Sequence, residues 1–221
     1  MKRFRALLVV AAAGILTGTG APSWAASSAL LSALDAGSGS ISAGNATYSN
    51  FTYVGDPLDT TVLATASVDG SGNSLITFTR TSGTWTELDG HSVITFHADF
   101  IVPVASTQLD FVASATGSVI ASVGETFTDG TTQSPQVYTG FLGSQFSSSY
   151  TFNSPVTSFD TLKSIDITPL NNFAPGLSGS GTITSVDNVF VSGVGNGVPE
   201  PASLGVLGIG ALGLMLRRRS R

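Results

Sequence analysis

Two histidines and several carboxylates in one short segment are the residues whose types and spacing best suit metal or acid–base chemistry. His91, His97 and Asp99 occupy alternate positions, with Glu87 and Asp89 just upstream. In a strand, alternate residues share a face and lie about 7 Å apart, a gap that long side chains can close around a metal. A structural zinc site usually needs four converging ligands, however, and the chain has only these two histidines. The pattern therefore favours a polar sheet face over a metal site, and we predict no metal ligands.

The segment DGSGN (69–73) places oxygen-bearing side chains at Asp69, Ser71 and Asn73. Alternate oxygen ligands are typical of calcium loops, but calcium takes six to eight oxygens, and the acidic residue that closes an EF-hand loop is missing. The segment lies between two apolar runs, which favours a hairpin turn. We predict no cofactor, with calcium bound between loops as the alternative.

Three aromatic residues, Trp85, Tyr138 and Tyr150, have flat rings that could stack on sugars, although packing in the core or at its rim is the commoner fate of such residues. No nucleophile motif is present: the run GLSGSG, from Gly176, has Ser180 where Gly-x-Ser-x-Gly requires a glycine. We therefore predict no catalytic residues. A pair of carboxylates for glycoside hydrolysis stays open, because their separation is a three-dimensional property.

The elements that must position these residues are strands. The clearest is HSVITFHADFIVP (91–103), where one face is apolar, the other carries the histidines, and Pro103 is expected to end the strand. The apolar face consists of Ile94, Phe96, Ala98, Phe100 and Val102. A brief N-terminal helix is predicted within 26–37, since Leu30, Leu31 and Leu34 have helical spacing.

About ten such strands, spaced roughly 8–15 residues apart, predict an all-β fold, an antiparallel β-sandwich of jelly-roll-like type. A β-solenoid is the alternative architecture. It would need a regular repeat of roughly 20–30 residues, and the sequence has none.

The charge of the chain is strongly uneven. Residues 26–197 hold thirteen of the fourteen acidic residues but only Arg80 and Lys163 of the nine basic ones, a net charge of −11. Such an acidic body repels phosphate backbones, which opposes nucleic-acid binding. The chain has no cysteine, so disulfides and thiolate chemistry are excluded.

The first 25 residues have the features of a secretory signal peptide. A basic start, MKRFR, is followed by an apolar run of eleven residues, ALLVVAAAGIL, and by small residues before a cleavage site between Ala25 and Ala26. The apolar run is too short to span a bilayer. We therefore expect the mature body to begin at Ala26, outside the cytosol.

The last 24 residues combine an extended polar start, an apolar run and a basic end. Pro199, Glu200 and Pro201 precede fifteen uncharged residues (202–216), and the chain closes on basic residues. As a helix the uncharged run would measure roughly 22 Å, a marginal span for a hydrocarbon layer of about 30 Å. The basic cluster, expected to hold the C-terminus in the cytoplasm, is Arg217, Arg218, Arg219 and Arg221.

This terminal arrangement, VPEPASLGVLGIGALGLMLRRR, closely resembles the PEP-CTERM sorting signal. The resemblance implies that an exosortase, an integral membrane enzyme, recognises Pro-Glu-Pro and removes the tail. It also implies a Gram-negative-type bacterium that makes extracellular polysaccharide, a candidate second partner. An ordinary C-terminal anchor that stays attached is the alternative.

The sequence thus predicts four segments: a signal peptide (1–25), a β-sandwich domain (26–192), a flexible spacer (193–197) and the sorting signal (198–221). The predicted function is that of an exported protein, transiently anchored in the inner membrane and then at the cell surface or in the extracellular matrix. We expect a structural or adhesive, non-enzymatic role. A carbohydrate- or calcium-binding module and a glycoside hydrolase-like enzyme are the alternatives.

Overall fold

A computed structural model describes residues 26–35, 39–55, 61–86, 89–128, 135–140, 143–170 and 178–193. The predicted signal peptide and the predicted sorting tail lie outside the described residues. The described part contains one short helix, α1 (Leu31–Asp35). Its strands are β1 (Ser27–Leu30), β2 (Ile41–Ala43), β3 (Ala46–Val54), β4 (Val62–Val68), β5 (Ser74–Arg80), β6 (Trp85–Thr86), β7 (His91–Gly117), β8 (Val119–Phe127), β9 (Gln136–Gly140), β10 (Gly143–Gln145), β11 (Ser147–Pro169) and β12 (Gly179–Ser192).

All the strand pairs are antiparallel, and they fold into two packed layers. The strand order in the first layer is β2–β3–β7–β11–β8–β9–β10, where β7 contributes its first half and β11 its second half. The second layer runs β1–β4–β5–β12, followed by the second half of β7 and the first half of β11. The prediction of an all-β antiparallel sandwich is confirmed.

The two long strands, β7 and β11, belong to both layers because each bends in the middle. In β7, residues 93–100 pair with β3 and residues 104–117 pair with β12. Pro103 lies at this bend, among residues with no ladder partner, and its carbonyl accepts a hydrogen bond from the N–H of Gly193. The prediction that Pro103 ends the strand is wrong, because a proline at an unpaired bend removes no ladder hydrogen bond.

Strand β11 bends in a similar way, and it runs unbroken from Ser147 to Pro169. The register with β7 shifts between Thr151 and Val156 and again between Val156 and Ser158, which marks bulges. Bulges bend a strand without ending it. As a result, residues 158–169 lie in the first layer and residues 147–151 in the second.

The predicted N-terminal helix is shorter than expected. Leu31 and Leu34 lie in α1 and are buried, whereas Leu30 ends β1, where it pairs with Leu63 of β4. Pairing with an available strand edge outweighs the helical spacing of three leucines.

The core between the layers is rich in aromatic rings. Tyr48 of β3 lies 5.9 Å from Phe190 of β12, and Phe78 of β5 lies 5.7 Å from Phe96 of β7, as measured between ring centroids. Phe190 also contacts Phe100 at 5.1 Å. These contacts join opposite layers, so the aromatic cluster holds the sandwich closed.

Candidate functional site

The outer surface of the first layer gathers the polar side chains that the sequence singled out. Because residues two apart on a strand share a face, His91, His97 and Asp99 of β7 all point outward, while Phe96 and Ala98 between them are buried. Neighbouring strand β11 adds its own outward residues through the same alternation. We call this surface the outer polar face.

His97 is held by groups from two strands. Its Nδ1 lies 2.6 Å from Oδ1 of Asp160, and its Nε2 lies 3.3 Å from Oδ1 of Asp99 and 3.0 Å from Oγ of Ser158. The hydrogen bond to Asp160 raises the pKa of His97 above its usual value; partial burial opposes this, and the charge of Asp99 adds to it. The imidazolium is thus favoured, and a cationic ring that both carboxylates hold is a poor metal ligand.

His91 forms a second pair on the same face. Its Nδ1 lies 2.5 Å from Oδ1 of Asp166, which it faces across the β7–β11 ladder, and Ser164 Oγ donates to the other oxygen of Asp166 at 2.8 Å. Both side chains are substantially exposed, at 57% for His91 and 36% for Asp166. The pair can therefore offer polar groups to a ligand.

The remaining acids of the sequence cluster do not join this face. Asp89 pairs with Arg80 at 3.2 Å and accepts from the hydroxyl of Thr86 at 3.1 Å, and Glu87 lies outside the described residues. Within the part of the chain that the structure describes, no group of three or more His, Cys, Asp or Glu side chains is placed to hold a metal ion.

A groove of about 280 Å³ lies on the outer polar face between β8, β9 and β11, and its lining includes Asp166, the partner of His91. Its outward-pointing lining includes Tyr138, Gln136, Ser122, Ser164 and Asp166. An aromatic ring next to hydroxyl, amide and carboxylate groups is a combination that can stack on and hydrogen-bond to a polar ring. Glu125 also borders the groove, but its side chain is fully buried beneath the sheet, so Asp166 is the carboxylate that the described lining exposes.

The other two aromatic candidates lie in the core. Trp85 is 1% exposed and Tyr150 is 6% exposed, the latter stacked at 5.6 Å on Phe127. The sugar-stacking hypothesis is therefore wrong for these two rings, since neither can meet a ligand, and it survives for Tyr138 alone.

The segment 69–73 forms the predicted hairpin turn between β4 and β5. Asp69 Oδ1 accepts hydrogen bonds from the backbone N–H groups of Ser71 and Asn73, each at 2.8 Å, and Oδ2 accepts from Asn73 Nδ2 at 2.9 Å. Burial would raise the pKa of Asp69, but the hydrogen bonds from Asn73, Ser71 and Gly72 hold it below its usual value. The carboxylate therefore serves to fix the turn.

A buried polar cluster, which the sequence reading missed, lies between the layers under the groove. Lys163 Nζ is 2.9 Å from Oε1 of Glu125 and 2.5 Å from Oδ1 of Asn188, while Asn188 Nδ2 donates to Oε2 of Glu125 at 2.7 Å. Asn188 Nδ2 also lies 3.5 Å from the hydroxyl of Thr107. None of the four residues is more than 1% exposed. We call these residues the Lys-Glu-Asn cluster.

The signal for this cluster was present in the sequence. Thr161, Lys163 and Ile165 alternate with outward residues in β11, so Lys163 falls on the core face of its strand. A lysine almost never lies in a core without a partner. The inward position of Lys163 therefore predicts an acidic partner on a neighbouring strand.

The residues predicted for export and sorting fall almost wholly outside the described part. Ala26 is its first residue and is exposed, whereas Ala25 and the sorting residues Pro199, Glu200 and Pro201 lie beyond it. The terminal arginines lie outside it as well. Among the described residues, no helix has the length and hydropathy needed to cross a bilayer.

The PEP-CTERM protein-sorting motif family matches residues 197–219. The match confirms the resemblance read from Pro-Glu-Pro, the apolar run and the arginine cluster: the chain carries this sorting motif, which indicates export and a surface or extracellular location. No curated protein matches the chain at a significant level.

Solved structures match the described fold only distantly. One is TmCBM61 in complex with beta-1,4-galactotriose, with 12% identity and a TM-score of 0.30 over 62% of this chain and 86% of that one. Another is the CBM36-1 domain of a multidomain xylanase from the hindgut metagenome of Trinervitermes trinervoides, with 13% identity and a TM-score of 0.26 over 63% and 96%. TM-scores this low say nothing about what this chain binds.

Proposed function

We propose that this chain, which carries a PEP-CTERM sorting motif, is a non-enzymatic structural or adhesive protein of the cell surface or extracellular matrix. The observation that carries the proposal is the position of the motif. It begins at Gly197, four residues after Gly193, where the described sandwich ends. A glycine-containing connection of this length would let a membrane enzyme reach Pro-Glu-Pro without unfolding the domain.

In this proposal the signal peptide (1–25) exports the chain, and cleavage before Ala26 frees its N-terminus. The apolar run and the arginines hold the tail briefly in the inner membrane. An exosortase then cuts near Pro199-Glu200-Pro201. Because proline disfavours helical backbone, we expect the two prolines to present the segment in an extended form to the enzyme, with Glu200 supplying the charge that its groove recognises.

The acidic net charge of residues 26–197 supports a location outside the cell. With a net charge of −11 over residues 26–197, the domain stays soluble and repels its own copies until a partner or a cation bridges them. A continuous ladder of long strands and an aromatic core give a rigid body of the kind that a matrix component needs.

The test compares surface delivery in a host with and without the exosortase. We expect the wild-type protein at the surface or in the medium only when the enzyme is present. Glu200→Gln should stay in the membrane fraction, whereas Asp35→Asn, a matched change of an exposed acid outside the motif, should behave as wild type. Equal surface delivery of Glu200→Gln and Asp35→Asn would exclude the proposed recognition.

The second candidate function is carbohydrate binding at the groove on the outer polar face. It is favoured by one observation: Tyr138 is a half-buried ring that borders a concave space of about 280 Å³ together with Gln136, Ser164 and Asp166. Stacking on the ring and hydrogen bonds to the neighbouring groups would recognise a neutral sugar, since a single exposed carboxylate disfavours an acidic one.

This candidate is tested by measuring retention on neutral polysaccharides and on a glycan array. Tyr138→Ala should lose binding, while Phe146→Ala, which removes another aromatic ring that is 49% exposed and outside the groove, should keep it. Binding that both variants retain equally, or that neither the wild type nor a variant shows, would remove the candidate. Addition of a chelator separates direct sugar binding from calcium-dependent binding.

A further inference from the structure

The Lys-Glu-Asn cluster has a geometry that an ordinary buried ion pair does not require. A lysine and a glutamate would satisfy each other, yet Lys163 Nζ also lies 2.5 Å from Oδ1 of Asn188. The carbonyl carbon of Asn188 is one C=O bond, about 1.23 Å, from that oxygen, so Nζ lies no more than about 3.7 Å from it. Reacting atoms in near-attack arrangements lie about 3–3.5 Å apart.

Glu125 touches both partners of this contact. Its Oε1 is 2.9 Å from Lys163 Nζ, and its Oε2 accepts from the amide nitrogen of Asn188 at 2.7 Å. One carboxylate thus bridges a nucleophile and a leaving group, which is the position of a general acid–base that moves a proton from one nitrogen to the other.

We propose that Lys163 and Asn188 join in an intramolecular isopeptide bond, formed by the folded protein itself with Glu125 as the proton carrier. The two residues lie on strands of opposite layers, β11 and β12, so the bond would tie the sandwich together covalently. In a chain without cysteine it takes the place that a disulfide holds in other exported domains.

The reaction balances without any added reagent. The Glu125 carboxylate takes a proton from the ammonium of Lys163, and the neutral amine adds to the carbonyl carbon of Asn188. Glu125 then gives a proton to the amide nitrogen of Asn188 and takes one from the former lysine nitrogen, so that the C–N bond breaks. The products are a secondary amide, one molecule of ammonia and a protonated Glu125; nothing is oxidised or reduced.

The surroundings favour each step. Burial lowers the pKa of Lys163, although the charge of Glu125 opposes this shift. The lowered pKa makes the neutral, nucleophilic amine easier to form. The ladder neighbours Ile94 of Lys163 and Ile76 and Leu109 of Asn188 are fully buried and apolar. Exclusion of water protects the intermediate from hydrolysis, and conversion of two charged groups into neutral ones removes the cost of burying them.

The sequence provides a direct assay, because Lys163 is the only lysine or arginine between Arg80 and Arg217. Trypsin would cut an unlinked, denatured chain after Lys163 and yield residues 81–163 and 164–217 as separate peptides. The isopeptide bond blocks this cut. In a chain produced without an exosortase, which keeps its tail, we therefore expect one peptide, 81–217. It should be lighter by one ammonia molecule, about 17 Da, with fragment ions that join Lys163 to Asn188.

Two variants of the full chain complete the test. Glu125→Gln removes the proton carrier and should restore cleavage after Lys163 with no loss of ammonia. Asp160→Asn is the matched control, an acid-to-amide change on the outer face of β11, and should keep the single linked peptide. Circular dichroism and a cooperative melting transition establish that Glu125→Gln is folded.

Each outcome decides the proposal. Cleavage of the folded wild-type chain after Lys163 at unmodified mass would overturn it, whatever Glu125→Gln does. Loss of ammonia confined to Asn188, without a link to Lys163, would indicate a succinimide and also overturn it. A linked peptide in Glu125→Gln equal to that of the wild type would remove the role of Glu125. The proposal does not depend on how the tail is processed.

Discussion

Replacement of Phe190 by alanine is the perturbation that most sharply tests the two-layer core. Phe190 lies on β12 and is 1% exposed. Its ring contacts Tyr48 at 5.9 Å, Phe100 at 5.1 Å and Phe159 at 5.7 Å, and all three partners lie in the first layer. The variant therefore removes contacts that join the layers.

The expected cost follows from the burial and the ring contacts. Complete burial of such a side chain contributes about 1.5–3 kcal/mol, and each aromatic pair adds about 0.5–1.5 kcal/mol. The cavity left by Phe→Ala substitutions raises the measured cost to about 3–5 kcal/mol. Since three partners from three strands surround the ring, we expect a loss in the upper half of that range.

Urea unfolding, followed by circular dichroism and by the fluorescence of buried Trp85, measures this loss. Val191→Ala is the control, because Val191 is the next residue on the same strand but is 36% exposed on the opposite face. It should change the free energy of unfolding by about 0.5 kcal/mol or less. If Phe190→Ala costs no more than Val191→Ala, Phe190 does not lie between two packed layers and the described core is wrong. Phe190→Leu, a smaller change, keeps the comparison measurable should the alanine variant not fold.

Three other predictions concern single residues outside the aromatic core. Because the pKa of His97 is raised in the folded state, its contribution to stability is complete below its usual pKa of 6.5 and is lost as the pH rises through the folded-state value. The melting temperature of the wild type should therefore fall across this pH range, and that of His97→Gln should fall less. Parallel curves for the two proteins would refute the ion pairing. Gly117→Ala should destabilise by at least about 1 kcal/mol, because its φ is +67° and an added Cβ would collide with the backbone carbonyl of Ser178. Gly72→Ala, with φ +84° in open space, should cost less in the same melts, and the reverse order would contradict the close approach of Ser178 to Gly117. Asp69→Ala should lower the free energy of unfolding by about 1 kcal/mol through loss of the turn hydrogen bonds; an unchanged urea midpoint would show that the turn does not need the carboxylate.

Most of the strands could be predicted from the alternation of apolar and polar residues along the sequence. The strands around Phe78, Phe96 and Val123 follow from apolar residues at every second position, because side chains on a strand point to opposite faces. The bends of β7 and β11 did not follow, since Pro103 and the bulges near Val156 look like strand ends when read locally. Whether a proline ends or bends a strand depends on which neighbours pair there, and pairing is a property of the assembled sheet.

The candidate sites divide in the same way. His97 and Asp99 were found because they lie two residues apart on one strand, whereas Asp160, the stronger partner of His97, lies 63 residues away and meets it only through the β7–β11 ladder. The Lys-Glu-Asn cluster was missed because Lys163 was counted only in the net charge and was not assigned to the inward face of its strand. Glu125 and Asn188 come from two further strands, so their convergence on Lys163 required the sandwich.

The most direct test of the proposed export and sorting is the mass of the C-terminal peptide of the protein recovered from the cell surface. In cells that have an exosortase, we predict that this peptide ends before the arginine cluster and lacks the apolar run 202–216. In cells without the enzyme, the chain should keep its tail and stay in the membrane. Recovery of a surface-exposed chain that still ends at Arg221, from cells with a working exosortase, would contradict the account.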